Sequence, residues 1–244
     1  MAPVPAPMQY AAHISTVELL VLPQNHRGGF VNRNSPLRSK FWVAIRDGDV
    51  RTVSDLITEN MNLNFMVTVP SDMRDEKGRE TTPLLEAVAG GHPEMVEFLI
   101  QHGSAVNFHP AETGSALHWA AWSGNSKVVM VLLRHGASVN ERNYYGEAPL
   151  ILAATHSADI SVVKELIAAG ANVHAQSKVG DNAVMGAAWQ HHLDTVKLLV
   201  GLGVDACAKN NKGETAIDQA RSNLNEDPGK QEIIAFLQVK CGRQ

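Results

Sequence analysis

The side chains of this chain that could do chemistry are three tryptophans, two neighbouring tyrosines and a few isolated titratable groups. Trp119 and Trp122 stand three residues apart and would share one face of a helix. Trp189 follows the same Ala-Ala pair that precedes Trp122, and Tyr144 and Tyr145 sit together beside Arg142. In a chain of 244 residues that is only 5% aromatic, this concentrates the aromatic surface in one region. Aromatic walls can anchor a partner polypeptide or hold an apolar small molecule. A titratable group beside them, with Glu86, His156 and Asp181 as the candidates, would add acid–base chemistry of the kind needed for a cyclisation, isomerisation or dehydration without a cofactor.

Other kinds of site lack their residues. His191 and His192 are adjacent rather than four apart, and no carboxylate or cysteine stands at ligand spacing, so no metal is expected. The glycines are spread along the chain without a phosphate-cradling loop, and neither a GxSxG elbow nor a kinase signature occurs, so no cofactor is expected. Cys207 and Cys241 form no CxxC and no secretory framework. That usage points to a reducing compartment, with Cys207 read as a small buried residue.

The bulk composition is that of a soluble globular protein, with 44% apolar and 19% charged residues. A net charge of −4 and a pI near 6.2 give no footprint for nucleic acid. No run of 18 apolar residues is present, so no membrane span is expected. The first residues lack the charged-then-apolar order of a signal peptide. Glu18 is the sole acid before Asp47, a transit-peptide trait, yet the prolines of Met1 to Pro7 oppose an amphipathic helix; cytoplasm or nucleus is the expected location. Residues 1–36 read as an N-terminal extension: a Pro-rich start, an apolar Ser15–Leu22 stretch, and a connector from Gln24 to Pro36.

The aromatic residues must be positioned by the elements around them. From Gly114 to Asn140 two short helical patterns appear. Ala116, Leu117, Ala120 and Ala121 give the first a face of mostly small residues, and Ser123–Ser126 breaks the period. Val128, Val129, Val131, Leu132 and Leu133 give the second a bulkier core face, and Gly136 supplies a left-handed stop. Neither helix is long enough to stand alone. Copies of the unit follow one another. The first-helix openers Thr82-Pro83-Leu84, Ser115-Ala116-Leu117, Ala148-Pro149-Leu150, Asn182-Ala183-Val184 and Thr215-Ala216-Ile217 succeed each other at 33, 33, 34 and 33 residues. The stops Gly103, Gly136, Gly170 and Gly203 repeat at 33, 34 and 33. A leading copy from Ala44 would stop at Asn60.

Two independent markers with one period establish a repeat array. Its wording, TPLLEAVAGGHPEMVEFLIQHGSAVN and SALHWAAWSGNSKVVMVLLRHGASVN above all, resembles the ankyrin-repeat family over about residues 39–240. The sequence departs from that pattern where His191 replaces the turn glycine, where one residue is gained near Ser157, and where the last copy lengthens around Pro228. The resemblance implies an all-α repeat solenoid of about six helix pairs, beginning near Ser39 within a 37–244 domain, with β-turn fingers and a concave groove. A C-terminal cap is expected from about residue 215. Fingers are expected at 65–81, 108–114, 141–147, 175–181 and 208–214; the first carries about 10 extra residues and reads as a hairpin arm with a charged tip at 70–78, more mobile at Asp75 to Gly78.

The same resemblance implies that the groove binds a protein partner, with an apolar small molecule or cofactor-free enzyme as the alternative. It places Trp119, Trp122, Trp189, Thr155, His156 and the fingertip residues Arg142, Tyr144 and Tyr145 toward that groove. Gly186, at the offset of Trp119, would leave a notch beside Trp189. His118 matches the family's structural histidine, and Cys207 takes the place of the finger asparagine.

Overall fold

The structure, a computed structural model, describes residues 36–57, 62–69, 79–110, 114–223 and 228–242. Each first helix is short because its ends are written into the sequence. In the central repeat, α5 (Ala116–Ser123) opens at Ser115 and closes on Gly124, whose φ of 71° is a conformation costly for any residue with a Cβ. The next helix, α6 (Ser126–Arg134), begins where Asn125 Oδ1 accepts a hydrogen bond from Val128 N at 3.1 Å. The chain then turns at Gly136, φ 80°.

This pair recurs among the described residues as α1 (Pro36–Asp47) and α2 (Val50–Leu56), α3 (Pro83–Gly90) and α4 (Pro93–Gln101), and α7 (Pro149–His156) and α8 (Ile160–Ala168). It continues as α9 (Ala183–Trp189) with α10 (Leu193–Gly201) and α11 (Ala216–Ser222) with α12 (Pro228–Cys241). First helices pack on first helices in order from α1 to α11, and second helices do the same from α2 to α12. The result is an all-α repeat solenoid of six pairs. Its first helix begins at Pro36, slightly ahead of the expected Ser39.

The two rows bury different kinds of side chain. The alanine pairs Ala120–Ala121, Ala153–Ala154 and Ala187–Ala188 are fully buried, letting the first helices approach closely. Behind them Leu99, Leu132, Leu166 and Leu199, one per repeat, are fully buried and form the continuous spine of the core. Each contributes about 1.5–3 kcal/mol through its burial. Leu133 is a correction: it is only partly buried, because the inward stripe of α6 falls on Val128, Val129, Val131 and Leu132.

Repeats are also clasped at their edges. Asn107 Nδ2 donates to Gly136 O at 3.1 Å while its Oδ1 accepts from Ser138 N at 2.9 Å. Asn64 holds Gly103 and Ala105 in the same manner, and Asn140 holds Gly170 and Asn172. At the equivalent place in the last clasp stands Cys207, joined by a disulfide to Cys241 of α12 with Cα atoms 5.6 Å apart. Reading Cys207 as an inert buried residue is therefore overturned. A thiol at this offset lies beside α12, and the paired cysteines remove the cysteine-based ground for a reducing compartment.

The departures from the repeat pattern sit in turns. The extra residue near Ser157 lengthens the α7–α8 connection, where Ser157 adopts an extended conformation and its Oγ bonds Asp159 O at 3.0 Å. His191 takes φ 61°, the left-handed region that glycines occupy at Gly91 and Gly124. In the first finger, β1 (Val67–Val69) pairs antiparallel with β2 (Arg79–Thr81), and Phe65 at its base meets Trp42 of α1 edge-on at 5.9 Å between ring centres. The expected arm tip at 70–78, the stop at Asn60 and most of the N-terminal extension lie outside the described residues.

Candidate functional site

The fingers are held rigid by a local code. Asn143 Oδ1 accepts from Tyr145 N and Glu147 N, both at 2.9 Å, and its Nδ2 donates to Glu147 Oε2 at 2.9 Å. Asn210 repeats this with Lys212 N, Glu214 N and Glu214 Oε2, and also donates to Asp181 Oδ1 at 2.8 Å in the finger before. Backbone bonds then tie one fingertip to the next: Lys178 N donates to Tyr145 O at 2.9 Å and Asn211 N to Val179 O at 3.0 Å. The side chains at these tips are consequently presented on fixed backbone. Tyr144 is 59% exposed, Tyr145 42% and Val179 49%. The two tyrosine rings meet edge-to-face at 5.4 Å, and the Lys178 ammonium lies 4.6 Å from the centre of Tyr144. Arg142 is exposed on the same finger.

Below the fingers, His118 is buried and structural. Its Nδ1 accepts from Ser115 N at 3.1 Å, and its Nε2 lies 3.1 Å from Glu147 O, which requires the neutral imidazole with the proton on Nε2. Burial, foremost, holds its pKa below the ordinary value. Glu147 is shifted the other way: burial raises its carboxyl above the usual range, and the charge of Asp181 adds to this.

On the first helices, Trp119, Trp122 and Trp189 are each partly buried. Trp119 packs against the core from the middle of α5. Trp122, in the last turn of α5, reaches the next repeat, its ring centre 5.8 Å from that of His156 with the planes inclined at 50°. Burial, then the charge of His192, lowers the His156 pKa. Trp189 ends α9, and its carbonyl accepts from Asn223 Nδ2 at 2.6 Å.

Two sequence-predicted positions do not open to this face. Thr155 is buried, with its hydroxyl donating to Ile151 O at 2.8 Å. A Cβ on Gly186 would stand 2.0 Å from that same Oγ1. The notch expected at Gly186 is therefore filled by Thr155 of the neighbouring helix; the glycine serves close α7–α9 packing. Leu152, at the Trp119 offset of the intervening repeat, is likewise buried.

The acid–base candidates are dispersed. Glu86 lies in the first turn of α3, and His156 ends α7; α5 packs between those two helices. Asp181 lies before the start of α9 and is engaged by Asn210. Helices of this length span about 11 Å at 1.5 Å per residue, which separates opposite ends of neighbouring first helices. Among the described residues no three His, Cys, Asp or Glu side chains gather as a metal site, and no helix is long and apolar enough to cross a membrane.

The asparagine–carboxylate finger code and the cations Lys178 and Lys212 are absent from the sequence-based site. The recurring pattern Asn143…Glu147 and Asn210…Glu214, one asparagine four residues before a glutamate, was the signal that could have located them.

Comparison with known proteins places these features in context. A family model described as ankyrin repeats matches residues 41–143 and 145–242. An ankyrin repeat protein of Fowlpox virus is 29% identical over 153 residues, covering 62% of this chain and 41% of the viral protein. Human ankyrin repeat and SOCS box protein 6 is 31% identical over 140 residues, 54% of this chain and 33% of that protein. The mouse B-cell lymphoma 3 protein homolog is 35% identical over 130 residues, 53% and 27%. The chain thus spans less than half the length of each of these relatives.

Proposed function

This chain belongs to the ankyrin-repeat family, whose repeats generally serve as protein–protein interaction modules, and from that premise we propose that it is a binding module whose aromatic finger-and-first-helix face holds a protein partner. The observation that carries the proposal is the exposure of Tyr144 and Tyr145 on fingers fixed by backbone and asparagine hydrogen bonds. Rigid aromatic side chains lose little freedom on binding and dominate interface energetics. Trp122 and Trp189, partly exposed at the ends of α5 and α9, extend the same face. Half-buried tryptophans leave part of their ring available to a partner. The dispersal of Glu86, His156 and Asp181 and the filling of the Gly186 notch support this reading over a small-molecule or enzymatic one.

The test is quantitative affinity capture with the full chain and with Tyr144→Ala and Trp122→Ala, each variant first shown to melt cooperatively. A specific polypeptide retained by the parent and reduced by about tenfold or more in either variant is expected, since truncating an aromatic anchor commonly costs about 2 kcal/mol. Equal recovery by all three proteins would defeat the proposal.

A further inference from the structure

The charges on fingers three to five are sorted by sign. Across residues 141–147, 175–181 and 208–214 there are four cations, Arg142, Lys178, Lys209 and Lys212, and all four are exposed. The same segments hold four carboxylates, and none is exposed. Each carboxylate is already engaged inside the finger row: Glu141 with His109 Nε2 at 2.9 Å, Glu147 with Asn143, Asp181 with Asn210, and Glu214 with Asn210 and Gln219. The outward surface of the three fingers is therefore cationic and aromatic, although the chain as a whole carries −4.

We propose that the Tyr144–Lys178–Lys212 fingertip row docks an extended, carboxylate-rich segment of a partner polypeptide. The proposal rests on the protein-binding role given above and names the chemistry of the partner. Three features support it. The row is continuous, because Lys178 N bonds Tyr145 O, and Asn211 bonds both Val179 O and, through its side chain, Lys178 O at 3.0 Å. Every one of the three fingers carries a cation, Arg142, then Lys178, then Lys209 and Lys212, so a polypeptide crossing the fingers meets positive charge in succession. Apolar contact is offered between them by Tyr144, Tyr145 and Val179. A short acidic segment also fits the chain's overall charge better than a long polyanion does. Nucleic acid is the poorer fit, since its affinity is built from many phosphate contacts and the three fingers offer four exposed cations.

The test uses the full chain and a fluorescein-labelled peptide of about 15 residues, Glu- and Asp-rich with two apolar residues, read by fluorescence anisotropy. Controls are the same peptide with Gln and Asn, an oligothymidylate of equal charge, and vesicles containing anionic lipid. Saturable binding of the acidic peptide is expected, weakening as salt rises. The double variant Lys178→Glu/Lys212→Glu should bind at least about tenfold more weakly, and Tyr144→Ala several-fold more weakly, with melting unchanged. Met130→Ala, a change at an exposed side chain of α6 in the second-helix row, should bind the acidic peptide as the parent does. The docking proposal is overturned by equal affinity for the Gln/Asn peptide, by an unchanged affinity of the double variant, by no binding up to about 1 mM, or by preference for the oligonucleotide or the vesicles. Its failure is separable from failure of the broader protein-binding role: if captured protein is lost in Trp122→Ala but not in Lys178→Glu/Lys212→Glu, the partner is held on the first helices and the fingertip row is not its dock.

Discussion

Breaking the Cys207–Cys241 bond tests how the last repeat is held. The bond closes a loop with a sequence separation of 34 residues, running from just before the fifth finger through α11 to the end of α12. Chain-entropy arithmetic for a loop of that size gives about 4 kcal/mol, from the constraint placed on the unfolded chain. The cap has other anchors: Ile233 and Leu237 of α12 are fully buried, and α12 packs on both α10 and α11. The cap should therefore still fold when the bond is cut, and the loss should appear as lower stability concentrated in the final two repeats. Cys241→Ser and the parent treated with a dithiol reductant should show the same early shift in denaturant unfolding followed by circular dichroism. Reductant should do nothing further to Cys241→Ser. Hydrogen exchange should quicken in α11 and α12 and stay unchanged in α3 to α6, since stability in a stacked array is set between neighbours. Two alkylatable thiols in the native, unreduced protein would refute the bond itself. An unloosened cap after verified reduction would refute the energetic assignment.

Other substitutions separate core from surface. Leu132→Ala should cost roughly 2–5 kcal/mol in a denaturation experiment, because the side chain is fully buried in the second-helix spine; partly buried Leu133→Ala should cost less. Gly186→Leu should destabilise by about 1–3 kcal/mol rather than strengthen the helix, because the added side chain meets Thr155 Oγ1; a melting temperature at or above the parent's would show that α7 and α9 can separate. For His118, whose folded pKa lies below the ordinary 6.5, the unfolded chain takes up a proton first as pH falls. Its stabilisation is thus fully present above about 6.5 and lost progressively below it; Glu147, with a raised pKa, acts oppositely, favouring the fold at pH below 4.5 and losing that contribution as pH rises. His118→Gln should flatten the fall in stability between pH 7 and 5 by at most about 1.4 kcal/mol per pH unit, and an unchanged slope would place the titration elsewhere, with His156 the next candidate.

The repeat array was readable in the linear chain because each of its signals is local. A left-handed glycine after the second helix, a capping residue before the first, and an apolar stripe set by the helical period all act within a few residues. Their recurrence at 33 or 34 residues then compels stacking, since no single pair can bury its own stripe. The turn glycine replaced by His191 and the extra residue near Ser157 were legible for the same reason, and both sit in the structure where a local turn absorbs them.

What needed the tertiary structure was every relation between one repeat and the next. Gly186 and Thr155 each look like groove positions when counted along their own helices; only the close approach of α7 and α9 puts the hydroxyl of one into the space left by the other. Leu132 and Leu133 are equally apolar in sequence, and the rotation of α6 against its neighbours decides which is buried. Cys207 and Cys241 become partners because the last clasp position lies against α12. The sorting of charge on the fingers is likewise invisible in a balanced composition, since it arises from asparagines, and for Glu141 from His109, that draw carboxylates inward, in places across to a neighbouring finger. Sequence alone determined the repeat and its ends, through short-range backbone and helix-face rules. The fold decided which side chains face outward, because that depends on the distance and rotation between helices that lie about 33 residues apart in the chain.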